Sequence, residues 1–249
     1  MDVVYVLGHG SKWDDNELRY SLRSIVNNGI GLGDVYIISD YLPEFINPEK
    51  VKHIHFGDAS NLSPCQNVYN KLQALFSRTD LQQFLFSSDD HFFIKPVYFN
   101  RWPLHYKGDK MPDYGVKGVG DRRYTQTMID TYQMMRRLNL DTKYYEGHTN
   151  KLYTREAWDY LTARGAWEGM FTTAYGVSTN SPMAAAIKRL HANTPCIYRQ
   201  DIKLRSLNTP ADFELLKSAV SFSIYDCAID SGVADYLQHE FPQKCRFER

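Results

Sequence analysis

Two carboxylates and an imidazole stand side by side at the end of an apolar run. Asp89, Asp90 and His91 directly follow the segment QFLFSS. Adjacent hard oxygen ligands suit a divalent cation such as Mn²⁺ or Mg²⁺, and a diphosphate can complete the coordination shell. A cation held there would neutralise the charge on a departing nucleotide diphosphate. These residues therefore predict a metal site, whereas the simpler alternative is a capped turn followed by a packed surface histidine.

A second polar cluster, Glu146-Gly147-His148, lies further along the chain. A general base must take the proton of an acceptor hydroxyl near neutral pH, and a histidine or a tuned glutamate can do this. We therefore predict that His148 or Glu146 is the base. Two other interpretations stay open for His148, which could complete the metal shell or cap the following helix.

The first ninety residues alternate between strand and helix patterns. Buried strands are predicted near residues 3–7, 34–40, 51–58 and 82–90, with helices near 14–29 and 65–78. Asp14 or Asp15 should cap the first helix, and Gly29 should end it. Strand, helix, strand, strand, helix, strand is the order of an α/β fold with a mainly parallel sheet.

Right-handed crossovers place the loops after parallel strands at one edge of the sheet, which is where ligands of such sheets bind. We therefore expect one crevice that collects Gly8, His9, Gly10, Asp40 and the segment from Asp89 to His91. Later in the chain, helices are predicted at 123–140, from 154 onwards and at 181–193. Neither a repeat nor a linker interrupts the sequence, so a single domain over residues 1–249 is expected.

Composition narrows the classes of function. Lys plus Arg and Asp plus Glu each count 29, so a nucleic acid could be bound only by a local basic patch. The four cysteines are scattered, which argues against a zinc site or a disulfide framework. No apolar run reaches the length of a membrane span, and the amino terminus does not resemble a signal peptide. A soluble protein of the cytoplasm, without a membrane partner, is expected.

Several segments resemble blocks of known families. Asp89-Asp90-His91 after FLFSS is similar to the metal-binding Asp-x-Asp or Asp-x-His motif of GT-A glycosyltransferases, which use nucleotide-sugar donors. ELRYSLRSIVNNG, VYIISD and FLFSSDDHFF resemble the first blocks of Stealth-type sugar-phosphate transferases. YEGHTNKLYTREAW, YRQDIKLRS and FPQKCRFE resemble blocks of GT-A-like transferases that bacteriophages carry. Two departures stand out: Asn150 occupies a position where these families have proline, and residues 101–121 have no counterpart.

The resemblance implies a GT-A-like (Rossmann-like) fold, in which a mixed, mainly parallel sheet is flanked by helices. Residues 1–100 would form the nucleotide-sugar and metal half, and residues 101–249 the acceptor half. Asp90 would be the main metal ligand, with Asp89 and His91 as helpers or sugar contacts. Asp89 would also be a catalytic residue, and Asp201 is a weaker candidate for contact with a sugar or a metal. The implied contacts to a nucleotide-diphosphate sugar are Gly8, His9, Gly10, Arg19, Arg23, Asp40, Asn67 and Lys71.

Within this donor set, Asp40 would hold the base or ribose. Arg19 and Arg23 lie one helical turn apart and could meet phosphate. Asn67 and Lys71, also one turn apart, could hold the ribose and the diphosphate. Solvated helix faces are the alternative interpretation for both pairs.

The acceptor is predicted from cations and rings in the second half. These residues are Arg122, Arg123, Arg136, Arg137, Lys151, Arg155, Lys188 and Arg189, with Tyr124, Tyr144, Tyr145 and Trp158. Such a mixture suits a phosphate backbone with an unstacked base. Together with the phage-like blocks, it favours a hydroxymethylated pyrimidine of phage DNA, modified in the host cytoplasm. Saccharide or capsule precursors, transfer of a whole sugar phosphate, and a nucleotide-binding module without turnover are the alternatives.

Overall fold

The computed structural model describes residues 1–109, 122–168, 178–199 and 202–249, without the side chains of residues 122–124. The helices in these ranges are α1 (Asn16–Asn28), α2 (Pro64–Arg78), α3 (Arg122–Arg137), α4 (Arg155–Thr162), α5 (Asn180–Leu190), α6 (Pro210–Ser218) and α7 (Ala234–Glu240). The strands are β1 (Asp2–Val6), β2 (Gly29–Ile30), β3 (Val35–Ser39), β4 (Lys52–His55), β5 (Gln83–Ser87), β6 (His91–Phe93), β7 (Val97–Tyr98), β8 (Leu104–Tyr106), β9 (Lys151–Thr154), β10 (Cys196–Tyr198), β11 (Lys203–Leu204) and β12 (Ser221–Ile224).

The main sheet has five strands in the order β4-β3-β1-β5-β9. The first four are parallel, and β9 runs antiparallel to β5. The predicted α/β fold with a mixed, mainly parallel sheet is therefore confirmed. Because β1 lies between β3 and β5, the loops that follow these three strands leave from the same edge of the sheet.

Apolar side chains alternate between the two faces of this sheet. In β1, Val3 and Tyr5 pack into one core cluster, whereas Val4 packs into another. Helix α1 covers the first face with residues such as Leu22, and α2 covers the second with residues such as Leu72. A strand buried on both faces needs apolar residues at every position, which explains the continuous run in β1.

A second sheet starts three residues after β5 ends. Only Ser88, Asp89 and Asp90 separate β5 from β6, and β6 belongs to a three-stranded sheet in the order β11-β12-β6. The polar face of α1 holds β6 in place. The Ser21 hydroxyl donates to the His91 carbonyl at 2.6 Å, and the Ser24 hydroxyl accepts from the Phe93 amide at 3.1 Å. The acidic pair thus lies at the junction of two sheets.

The start of α1 differs from the prediction. Asp15 occupies the N-cap position with φ of 56°, and its side chain makes no capping hydrogen bond. Its carboxylate instead accepts from the Tyr41 hydroxyl at 2.8 Å, while the Ser11 hydroxyl accepts from the Asp15 amide at 2.9 Å. The predicted end at Gly29 is confirmed, since Gly29 is the C-cap residue.

The last residues of the chain are ordered against the first half. Phe247 is buried, and its carbonyl accepts from the Asn47 amide at 2.8 Å. The Arg249 guanidinium donates to the Ile46 carbonyl at 2.9 Å. Within the described ranges, no helix is both long and apolar enough to cross a membrane.

Candidate functional site

An acidic cavity of about 270 Å³ lies where β1 and β5 end and the second sheet begins. Its carboxylates are Glu17, Asp89, Asp90 and Asp226. Its other polar wall is the loop after β1, with Gly8, Gly10 and Ser11. The predicted meeting of the first-strand loop with the acidic pair is therefore what the structure shows. Glu17 is itself held in place, because it accepts from the Ser11 hydroxyl at 2.8 Å.

The carboxylates of this cavity repel one another. Burial, followed by the charges of Asp90 and Glu17, raises the pKa of Asp89 to about 7. Burial also raises the pKa of Asp90, although the ammonium group of Lys203 and the ring of His148 act in the opposite direction. The four carboxylates of the cavity have two neighbouring ammonium groups, those of Lys203 and Lys12.

This excess of charge fits a divalent cation. Among the described residues, no group of three His, Cys, Asp or Glu side chains is placed to hold a metal ion. Mg²⁺ commonly binds one or two carboxylates and takes its remaining ligands from water and substrate phosphates. Asp90 and Asp89 could supply that pair of carboxylates, so the residues present are compatible with the predicted metal.

His91 is buried, and its Nε2 lies 3.8 Å from Asp90 Oδ1. Its backbone carbonyl is the acceptor for Ser21. The side chain belongs to a neighbouring cavity of about 230 Å³, which we call the histidine cavity and which is also lined by Glu146 and His148. The structure therefore brings the two predicted polar clusters together at Asp90 and His91.

The loop after β1 is connected to the end of β3. His9 Nε2 and Asp40 Oδ2 lie 2.7 Å apart, and this hydrogen bond lowers the pKa of Asp40. The His9 ring stacks on Tyr41 with centroids 5.0 Å apart, and the Tyr41 hydroxyl oxygen lies 3.2 Å from the Gly8 carbonyl oxygen. Asp40 does not line the acidic cavity and is linked to it through these loop contacts.

Lys71 and Asn67 have structural partners. The Lys71 side chain is 2% exposed, donates to the Leu7 carbonyl and lies 2.7 Å from Asp58 Oδ1. Asn67 binds the backbone of Ala59 through both ends of its amide. Neither residue lines the acidic cavity. Lys71 and Asn67 therefore hold the loops that follow β1 and β4. These contacts differ from the predicted contacts to ribose and diphosphate.

Arg19 and Arg23 face the end of the chain and do not line the acidic cavity. Arg23 is buried and binds Glu248 with two nitrogens, at 2.7 and 2.8 Å. A third nitrogen donates to the Phe241 carbonyl at 2.8 Å. The Arg19 guanidinium lies over the ring of Phe45, 4.3 Å from its centroid. The predicted contacts of both arginines to phosphate are thus replaced by contacts that fix the last residues of the chain.

Lys203 joins His148 to Asp90. Its Nζ lies 3.2 Å from His148 Nδ1 and 3.8 Å from Asp90 Oδ2. An ammonium group can only donate, so Nδ1 is the acceptor and a neutral ring carries its hydrogen on Nε2. Burial and the charge of Lys203 lower the pKa of His148 to about 4. A ring whose Nδ1 lone pair is occupied and whose basicity is low is a poor general base, which argues against the predicted role of His148.

Glu146 caps a helix. Its Oε1 accepts from the Ser178 hydroxyl at 2.5 Å and from both the amide and the hydroxyl of Ser181 at 3.0 Å. Its Oε2 accepts from the Asn180 side chain at 3.1 Å. These donors surround the N-terminus of α5, where a negative charge is favoured. With both oxygens used in this way, the role of Glu146 is structural and the predicted role as a base is not supported.

The residues predicted to bind DNA are largely used in packing. Tyr145, Lys151 and Trp158 are buried, and Lys151 donates to the Tyr145 carbonyl at 2.9 Å. Arg155 donates to three backbone carbonyls that follow α2 or end it. Arg136 and Arg137 are exposed, but Arg137 donates to the Gly165 carbonyl at 3.0 Å. The side chains of residues 122–124, most of the segment 101–121 and Asp201 lie outside the described residues.

Three polar residues of the site were missed by sequence reasoning: Glu17, Lys203 and Asp226. Glu17 carries a weak signal, because an acidic residue is favoured in the first turn of a helix, and this helix follows the loop after β1. Lys203 and Asp226 carry none, since Lys203 begins β11 and Asp226 follows β12, and periodicity does not predict the sheet that contains these short strands. Lys12 lies 3.3 Å from Asp226 and is a second cation at this edge.

The comparisons with known proteins leave the site to be interpreted from its own chemistry. A scan against protein-family models finds no match for this chain, and a search of curated proteins finds no similar sequence.

Proposed function

We propose that the protein is a GT-A-type glycosyltransferase that moves a sugar from a nucleotide-diphosphate sugar to a hydroxyl acceptor with the help of a divalent metal. The observation that carries this proposal is the acidic cavity. It combines a glycine-containing loop after β1 with a carboxylate pair after β5, at the edge where the parallel strands end. A nucleotide and a cation-bound diphosphate are the ligands that suit such a position.

Asp90 and Asp89 would hold the cation, which supplies neutralisation of the charge on the departing diphosphate. Backbone groups of Gly8 and Gly10 allow close approach of the donor, because glycine has no side chain in the way. His9 and Tyr41 provide a stacked pair of rings beside this loop, which suits contact with a flat base. Lys203 orients Asp90 and His148 through the contacts of its ammonium group with both side chains.

The acceptor is not fixed by this proposal. Hydroxymethylated DNA remains one candidate, although the described residues that favoured it are mostly buried or bound to backbone carbonyls. A saccharide precursor is the other candidate. Transfer of a sugar phosphate differs in its products, because it releases a nucleoside monophosphate whereas sugar transfer releases a nucleoside diphosphate.

A product analysis tests the proposal. Wild-type protein is incubated with a panel of labelled nucleotide sugars, with Mn²⁺ or with excess chelator, and with hydroxymethylated DNA, unmodified DNA or a saccharide acceptor. We expect metal-dependent release of nucleoside diphosphate together with a labelled acceptor. Release of nucleoside monophosphate would assign sugar-phosphate transfer, and donor binding without any product would identify a nucleotide-binding module. Full turnover in chelator would contradict the role given to the metal.

A further inference from the structure

A third cavity lies beside the acidic cavity and is larger. It is formed by β10, β11, α6 and β12 and has a volume of about 560 Å³. We call it the cationic cavity. Its size falls in the range of about 300–1,000 Å³ that is usual for small-molecule sites. Lys203 is part of its lining, and the Lys203 ammonium also lies 3.8 Å from Asp90, so the two cavities are neighbours.

One wall of the cationic cavity is apolar and open to solvent. Ile197, Tyr198, Leu215 and Val220 all line it. These four are among the eight large hydrophobic side chains that are exposed in the described chain, with Tyr198 at 62% and Leu215 at 47%. Scattered exposed hydrophobic residues need no explanation, but half of them in one cavity indicates a surface that a ligand covers. The apolar wall therefore favours a ligand with an apolar or aromatic body.

The rest of the cavity is cationic. Among its described lining residues, Arg199 and Lys203 carry positive charge, and none is a carboxylate. Arg199 is oriented by its neighbours, because it donates to the Ser221 hydroxyl at 2.6 Å and its guanidinium lies 5.5 Å from the ring centroid of Trp102. Lys203 lies 4.6 Å from the ring centroid of Tyr225. Cations that are held in place beside an apolar wall favour a ligand with a negatively charged head group.

We propose that the cationic cavity binds an organic phosphate whose body is an apolar chain or an aromatic ring. The phosphate lies against Arg199 and Lys203, and the body covers Tyr198 and Leu215. Because Lys203 is shared with the acidic cavity, the ligand is held beside the donor site. This last step rests on the proposed function, whereas the binding site itself does not.

Calorimetric titration tests the binding site without any transfer reaction. The full chain is titrated in chelator with geranyl phosphate, 2-naphthyl phosphate, geraniol and inorganic phosphate. We expect geranyl or 2-naphthyl phosphate to bind at least about tenfold more tightly than geraniol and inorganic phosphate, since both the head and the body contribute. Tighter binding of geranyl phosphate would indicate that the body of the ligand is an apolar chain, and tighter binding of 2-naphthyl phosphate would indicate an aromatic ring. Equal binding of inorganic phosphate, or no binding of either organic phosphate, would overturn the proposal.

Variants of α6 locate the ligand. Leu215→Asp places a negative charge in the cavity and should weaken binding of the organic phosphate by about tenfold. Leu215→Lys should bind at least as tightly as the wild type. Phe213→Asp is the matched control, because Phe213 is exposed on the same helix but does not line the cavity, and its Kd should not change. Equal losses in Leu215→Asp and Phe213→Asp would place the ligand elsewhere and reject the site. Sugar transfer can fail while this binding persists, so the two proposals fail separately.

Discussion

His148 and Lys203 meet at 3.2 Å, and this contact determines which ring nitrogen of His148 can act on a substrate. With Nδ1 accepting from the ammonium group, a neutral ring carries its hydrogen on Nε2, and that nitrogen is a donor, not an acceptor. The local sequence around Glu146 and His148 is compatible with a base as well as with a donor. The tautomer of His148 is set by Lys203, which lies 55 residues further along the chain, so the local sequence does not reveal it.

Replacement of His148 tests whether its ring acts as a hydrogen-bond donor or as a general base. We expect His148→Ala to lower the rate of transfer by less than about tenfold, whereas loss of a general base costs about 10²- to 10⁴-fold. Single-turnover rates at saturating donor and metal provide the measurement. A loss in the larger range, with unchanged affinity for Mn²⁺, would restore His148 as the base.

Asp90 lies 3.8 Å from both the His91 ring and the Lys203 ammonium group. Asp90→Asn should lower metal-dependent transfer by about two orders of magnitude or more, because a cation that has lost a charged ligand no longer neutralises the diphosphate effectively. Thermal unfolding followed by circular dichroism should show an intact fold. Asp159→Asn, an exposed carboxylate on α4, is the control and should retain full activity. Wild-type activity of the Asp90→Asn variant would show that Asp90 does not hold the metal.

At the scale of elements, the main sheet and the helices that flank it could be predicted, whereas the second sheet and the polar connections could not. Apolar residues at strand and helix spacing indicate β1, α1, β3, α2 and β5, because burial imposes that spacing locally. Ser21 and Ser24 look like ordinary helix residues in the sequence, yet they bind β6. Their partners lie about 70 positions away, and local patterns contain no information on such contacts.

Glu146 stabilises an element, because its carboxylate accepts hydrogen bonds at the N-terminus of α5. Glu146→Ala would leave several buried donors without an acceptor and should lower the free energy of unfolding by about 3 kcal/mol. Urea unfolding curves provide the measurement. Glu156→Ala removes a carboxylate from an exposed pair with His191 and should cost less than about 1 kcal/mol. Equal and small losses in both variants would contradict the capping role.

Across the whole molecule, the two ends of the chain stabilise each other. Arg23 in α1 and Glu248 near the last residue are separated by 225 positions and form a buried, two-fold hydrogen-bonded pair. The basic sequence FPQKCRFER suggests nothing of this, since an exposed tail and an ordered one can have the same composition. The approximate position of the site, at the sheet edge after β1 and β5, does follow from the sequence because parallel strands impose it.

The Arg23–Glu248 pair makes stability depend on pH. Burial alone would raise the pKa of Glu248, but hydrogen bonds from Arg23 and the Cys245 amide outweigh it, so the pKa is lowered. A lowered carboxyl pKa stabilises the fold above the ordinary value of about 4.3, and this contribution is lost as the pH falls through the lowered pKa. We expect Glu248→Gln to cost about 3 kcal/mol at pH 7, since the variant leaves a buried arginine without its anion.

Unfolding curves over a pH series provide the test for this pair. The difference between wild type and Glu248→Gln should shrink as the pH falls below about 4. Glu240→Gln, an exposed carboxylate of α7, should match the wild type at every pH. A difference that is independent of pH would show that the charge of Glu248 is not what stabilises the tail.

The three residues between β5 and β6 have a mechanical consequence. Ser88, Asp89 and Asp90 are the direct covalent link between the five-stranded sheet and the sheet of β6, β11 and β12. We expect any movement of one sheet against the other to be felt at this three-residue hinge. A ligand that contacts the loop after β1 and Asp90 together therefore acts as a clamp across the hinge. Amide hydrogens of β6 and β12 should exchange more slowly with such a ligand bound, even in a variant that cannot turn it over.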